Sequence, residues 1–242
     1  MPVARFTSVQ LARFVDLTPH GGIADASASP AHALRCGCDA RAAGTDPARL
    51  EGWVFLLLGY HEREEDAARA LATRSRLVPW WDGAEETWGA VLAPFRTFGE
   101  ANHLSTAAPG PLFAELHPAP PTDQPMVAVT SSGWVQGAGF DLARVQRFGA
   151  GVAAVRAGMT NTPGLCSQQT FFFPGVFTHD PVTVTTWQSF DAMRQFAYGP
   201  GSHRHKLDQH RASPDADRTS FTRYAVRAEQ GSWYGRRLTG AG

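Results

Sequence analysis

Three of the chain's nine histidines, His203, His205 and His210, fall within eight positions, a density of imidazole that could serve a metal site, hold a cofactor or form a solvated polar segment. A helix turns 100° per residue, so His203 and His210 share a face about 10 Å apart while His205 points elsewhere. Zinc needs its nitrogen ligands about 2 Å from one ion, and a helical segment cannot bring these three to a common point. One axial bond to a haem iron needs no second histidine nearby and asks instead for apolar walls around a flat macrocycle. Solvated helix histidines are the other reading that the spacing leaves open.

The remaining reactive residues are less informative. Cys36 and Cys38 place both thiols on one strand face, yet no second Cys or His pair sits at ligand spacing, which favours two packing thiols. Cys166 has no neighbouring base to activate it and reads as a core residue. In the Gly137-Ala138-Gly139 segment the third glycine of a dinucleotide loop would fall at Leu142, so that motif is not formed. No P-loop, G-x-S-x-G elbow or H-E-x-x-H is present. Ser131 and Ser132 end a Val-rich stretch, where a hydroxyl can donate to a bound ligand or simply close a Ser-Ser-Gly turn. Phe171, Phe172 and Phe173 put rings on both faces of a strand, either as core or as a wall of a flat-ligand pocket.

The elements that must position these residues divide at a segment with six prolines between Ser105 and Pro125. Residues 1–104 form an N-terminal half, 105–125 a Pro-rich linker and 126–242 a C-terminal half. In the second half, strands are expected at 126–133, 164–173, 182–187 and 221–229. One helix follows Asp141, with Leu142, Val145, Phe148, Val152 and Val155 on one face. Another follows Ser189, with Phe190, Met193, Phe196 and Ala197 on one face, and ends at Gly199-Pro200. In the last of these strands, Tyr224 and Val226 alternate with Arg223 and Arg227. The first half offers strands at 3–9, 33–39, 53–60 and 87–99 and a helix over 62–77 that Pro79 stops. The expected class is α+β: two ferredoxin-like β-α-β-β-α-β repeats forming a pseudo-dimeric α+β barrel.

Composition narrows the function. The 242 residues carry 22 Lys and Arg against 22 Asp and Glu, so no overall field draws a polyanion, and a nucleic-acid partner is not expected. The 15 Phe, 7 Trp and 4 Tyr suit a large apolar pocket. Three cysteines fit a reducing compartment. The strongest apolar run, Trp53 to Leu58, is too short to span a bilayer. The chain is therefore expected to be cytoplasmic, with no transmembrane segment.

Beyond these residue-level readings, "VTTWQSFDAMRQFAYGPGSH" (Val184 to His203) resembles the spheroidene monooxygenase family of haem-containing α+β barrels: a strand ending in Trp, a helix of the form A-M-R-x-F-A-Y-G, then a His. "RYAVRAEQGSWYGR", "ETWGAVLAPFRTFG" and "PMVAVTSSG" are similar to the corresponding strands, and the likeness thins before Gly52. Aldoxime dehydratases, a haem family on the same barrel, carry their axial His six residues beyond a Trp-Ala pair at a helix end. Here Phe196-Ala197 is followed at that interval by His203. The resemblance implies haem b held through iron by His203, with Trp187, Met193, Phe196 and Phe171 lining the cofactor pocket and Ser131 and Ser132 as distal catalytic hydroxyls. It implies monooxygenation of a small apolar substrate with an external electron donor, and leaves homo-oligomer formation open. A redox-neutral reaction on an N–O bond and a haem-free ligand-binding or structural barrel are the alternatives. The family's arginines have no counterparts in "TSSGWVQG" and "THDPVTVTTW", which implies a substrate other than the namesake carotenoid.

Overall fold

A computed structural model describes residues 4–14, 32–38, 53–73, 78–99, 112–113, 115–134, 141–159, 161–171, 181–200 and 216–239, with backbone alone at 32–38 and 79–80. The first half contains β1 (Phe6–Phe14), β2 (His32–Cys38), β3 (Trp53–His61), α1 (Glu64–Ala72), a 3-10 turn (Pro79–Gly83) and β4 (Glu86–Gly99). The second contains β5 (Met126–Gly133), α2 (Leu142–Met159), β6 (Leu165–Phe171), β7 (Val182–Trp187), α3 (Phe190–Tyr198) and β8 (Arg218–Gly231). All eight strands join one sheet in the order β2-β3-β1-β4-β8-β5-β7-β6, and every neighbouring pair is antiparallel. Within each half the order is second, third, first, fourth, as the ferredoxin-like repeat requires. The end strands β2 and β6 approach one another, so the sheet curls into a pseudo-dimeric α+β barrel.

Local chemistry explains most element ends. Glu64, Glu65 and Asp66 occupy the first turn of α1, where carboxylates meet the positive end of the helix dipole. The Ser189 side chain accepts from the Ala192 N–H at 3.0 Å and starts α3. Two expectations need correction. β1 runs over 6–14 rather than 3–9, and carries buried Thr7, Ser8 and Gln10. The strand continues past residue 9 through buried Gln10 and pairs on both edges; Ser8 Oγ bonds His61 Nε2 at 2.9 Å and Gln10 Nε2 donates to the Ala70 carbonyl at 3.3 Å. The supposed apolar face of α2 is largely uncovered: Leu142 is 57% exposed, and Met159 is the helix's only buried residue.

Both sheet faces carry apolar side chains. The barrel interior is filled by Val9, Leu11, Val54, Leu56, Val127, Val129, Phe171, Val184 and Tyr224, among others. Outside the barrel, α1 seats Ala67 and Leu71 on the sheet. In the second half Phe95, Met126, Ala128, Trp187 and Ala225 meet Met193 and Ala197 of α3. The Pro-rich segment also packs: Phe113 is buried against Tyr60 and Tyr224, and the His117 N–H bonds the Pro94 carbonyl at 2.8 Å.

The two halves meet where the 14-residue strands β4 and β8 pair. Each strand ends in a left-handed glycine, Gly99 at φ 69° and Gly231 at φ 72°. A Cβ on Gly99 would lie 2.0 Å from the Thr219 carbonyl oxygen, and one on Gly231 would lie 2.1 Å from that of Thr87. These symmetric positions admit no side chain. Gly99→Ala and Gly231→Ala are each expected to lose about 1–3 kcal/mol, read as a lowered midpoint in urea unfolding, while Gly83→Ala, with nothing within 4 Å of its added carbon, leaves the midpoint nearly unchanged.

Candidate functional site

The layer between the second-half sheet and its helices is where the resemblance puts a cofactor. α3 lays Met193 and Ala197 against the sheet, and its Phe196 ring lies 5.5 Å from that of Trp187. The Trp187 indole donates to Thr185 Oγ1 at 2.9 Å, which fixes its plane. Phe190 meets Phe95 edge-on at 5.2 Å. The structure thus brings together three of the proposed pocket residues, Trp187, Met193 and Phe196. Phe171 belongs to the barrel interior, on the opposite sheet face, and cannot line the same pocket. Ser131 is buried and bonds Ser220 Oγ at 2.7 Å. Its neighbour Ser132 is half-buried and points to the other face, as alternation along a strand demands. The two serines therefore do not form one hydroxyl pair. His203, His205, His210 and Phe172-Phe173 lie outside the described residues, as do the side chains of Cys36 and Cys38. Among the described residues no group of three His, Cys, Asp or Glu is placed to hold a metal ion.

Arg223 of β8 is the residue that the sequence reading passed over. It alternates with Tyr224 along the strand, yet it is 2% exposed because α3 covers its face. Its guanidinium is ringed by Phe221, Tyr198, Phe98 and Phe190, with ring centres 5.2, 5.4, 5.6 and 5.7 Å away. It donates to the Tyr198 hydroxyl, its Nε is buried without a partner, and no carboxylate pairs with it among the described residues. Burial lowers its pKa from the ordinary arginine value; Tyr198 opposes this, and the nearby Arg96 and Arg194 add to it. A cation held this way is an electrostatic receptor for an anionic group. No sequence signal short of knowing that both faces of β8 are covered would have found it.

The helices of the two halves differ in the same region. α1 packs along β1, β3 and β4 and buries Ala67, Ala70 and Leu71. α2 is not seated along any described strand in this way. Its Val155 and Met159 reach the apolar layer, while Phe148 stacks edge-on with Trp134 at 5.0 Å.

Against known proteins, no family model matches and no curated protein matches. Solved structures do. An aldoxime dehydratase in complex with butyraldoxime aligns with a TM-score of 0.59 at 12% identity, over 91% of this chain and 79% of that chain. A second aldoxime dehydratase aligns with 0.59 at 11%, over 91% and 81%. A proposed monooxygenase from Fusobacterium nucleatum subsp. nucleatum aligns at 0.40 and 8%, over 96% of each chain. At these identities the likeness concerns the fold. The class is a two-repeat ferredoxin-like barrel with the architecture of the aldoxime dehydratases.

The Arg223–Tyr198 pair gives a double-mutant prediction. Tyr198→Phe removes the buried cation's hydrogen-bond partner and is expected to cost about 1–3 kcal/mol. In an Arg223→Met background, where no charge needs that partner, the same change should cost much less. Urea unfolding of the four proteins measures the coupling, and equal losses in both backgrounds would mean that the pair does not interact.

Proposed function

We propose that the chain is a haem-dependent enzyme acting on a small apolar molecule, with His203 as the iron ligand and monooxygenation as the reaction that the sequence resemblance implies. The observation that carries this reading is the asymmetry of the barrel. The first half seats α1 on its sheet, whereas the second leaves α2 largely unseated beside an aromatic and thioether layer containing one buried guanidinium with no carboxylate partner among the described residues. Flat apolar surfaces together with a cation fit a porphyrin, whose ring seeks apolar walls and whose propionates seek positive charge.

In this reading Trp187, Met193 and Phe196 bear on the macrocycle, and Arg223 with Tyr198 supplies donors to a carboxylate or to a polar atom of the substrate. Ser132, on the same sheet face, is the hydroxyl placed to donate within this layer, and Ser131 serves the barrel interior. Bound haem supplies the iron chemistry that no described side chain offers. The chain's own residues exclude water with their rings and hold the positive charge in place. Electrons for an oxygenase come from an external donor protein or reductant.

A second reading is favoured by one finding: the fold match over 91% of this chain is to an aldoxime dehydratase crystallised with butyraldoxime. The same pocket would then act on an N–O bond with no net electron input. Haem-loaded protein should show a Soret band that shifts with dithionite and carbon monoxide. His203→Ala is expected to lose the axial imidazole signature, and rescue by free imidazole separates lost ligation from misfolding. Anaerobic conversion of butyraldoxime to the nitrile without an electron-transfer partner supports the redox-neutral reading; product formation only with dioxygen and electrons supports the oxygenase. Absence of any Soret band after reconstitution sinks both.

A further inference from the structure

One end of the barrel interior, on the opposite sheet face from Arg223, opens into a cavity of about 360 Å³. Its walls come from the start of β4 (Trp88), the start of β6 (Cys166, Ser167), the end of β7 (Thr186) and the segment after β8 (Trp233, Arg236). We propose that this barrel mouth is a second binding site, for a small cyclic or aromatic monocarboxylate.

The Ser167–Thr186 hydroxyls and the Arg236 guanidinium are the donors free to act there. Trp233 borders the cavity at 5% exposure, and its indole Nε1 is buried with no partner, so a slight turn of the ring would have to bring it to a ligand. Ser167 Oγ and Thr186 Oγ1 bond each other at 2.7 Å, which uses one of their two protons and leaves the other to donate. The Arg236 guanidinium has no partner among the described residues, and its charge reaches the Cys166 thiol at the cavity wall. Two indoles, Trp88 and Trp233, supply flat apolar surface, and the volume lies at the small end of ligand pockets.

The segment that carries these donors is fixed by the protein itself. Trp233 and Arg236 close a turn by mutual backbone bonds of 2.8 and 3.2 Å, and the Gly235 N–H bonds Glu86 Oε1 at 2.7 Å. Glu229 accepts from the Trp88 indole at 2.6 Å, from the Leu238 and Thr239 N–H groups at 2.6 and 2.8 Å, and from the Thr239 hydroxyl at 2.6 Å. Burial alone would raise its pKa, but these bonds outweigh it and hold the carboxyl below the usual range. Arg236 and Arg237 at the wall attract an anion, Glu229 opposes a dianion more than a monoanion, and the two indole faces suit a ring-bearing carboxylate.

The test uses protein labelled with ¹⁵N at tryptophan and titrated with benzoate, the Trp233 indole resonance being assigned from Trp233→Phe. Benzoate is expected to shift that resonance to saturation and to slow alkylation of Cys166 by iodoacetamide, read by peptide mass. Neutral benzamide should do neither at equal concentration, and Arg236→Gln should weaken benzoate binding by about tenfold. An unshifted Trp233 resonance with unprotected Cys166, or undiminished benzoate affinity in Arg236→Gln, overturns the proposal. The readouts do not involve the iron, so the outcome is independent of the haem reading.

Discussion

The pairing of β4 with β8 is the constraint from which the rest of the architecture follows. It turns two four-stranded repeats into one sheet and removes what would otherwise be two exposed edges, each a template for unwanted pairing. The ladder shifts register between Val91 and Leu92 and between Pro94 and Arg96, and such irregularities increase local twist. That twist lets the eight strands curl until β2 nears β6. Once the curl is made, the sheet has an inside and an outside, and every later assignment of a residue to a site is an assignment to one of these.

This geometry also explains what the sequence could and could not convey. The β-α-β-β-α-β order, the Ser189 cap and the strand ending at Trp187 were readable, because hydrophobic period and capping chemistry act locally. Faces were not. Phe171 and Trp187 both read as pocket aromatics, but strand register sends the first into the barrel and the second under α3. The alternation of Arg223 with Tyr224 looked like a half-exposed strand; in a sheet covered on both sides, the outer face is interior too, and the arginine is buried with it. Conversely, the periodic Leu142, Val145, Phe148 and Val152 promised a seated helix, and only the end of α2 reaches the sheet. Cys166 read as core, yet it sits at the wall of the barrel-mouth cavity, because a strand's end can face the opening rather than the packed centre.

The two faces are chemically distinct in a way that bears on ligand choice. Among the described residues, polar groups inside the barrel are neutral and largely paired among themselves: Ser131 with Ser220, Ser167 with Thr186 and Thr97 with Thr222. Burial pushes the Tyr224 phenol well above its ordinary pKa, and the hydroxyls of Thr7 and Thr222 only partly offset this, so it too stays uncharged. Matched neutral pairs satisfy hydrogen bonding without the desolvation cost that an ion incurs. Among the described residues, formal charge lies at the mouth, on Arg236, Arg237 and Glu229, and in the helix layer, on Arg223.

A buried cation with no carboxylate partner among the described residues is the costlier of these placements, and aromatic rings recover only part of what water would have given. An apolar side chain of similar length would fill the same volume under α3 at lower free-energy cost, so folding alone gives no reason for arginine at position 223. The ring cage holds the guanidinium rigid, Tyr198 fixes its orientation, and Arg96 with Arg194 raises the local potential further. The rings and Tyr198 relieve the cation only in part, and the neighbouring arginines add to the attraction for a negative or strongly dipolar group.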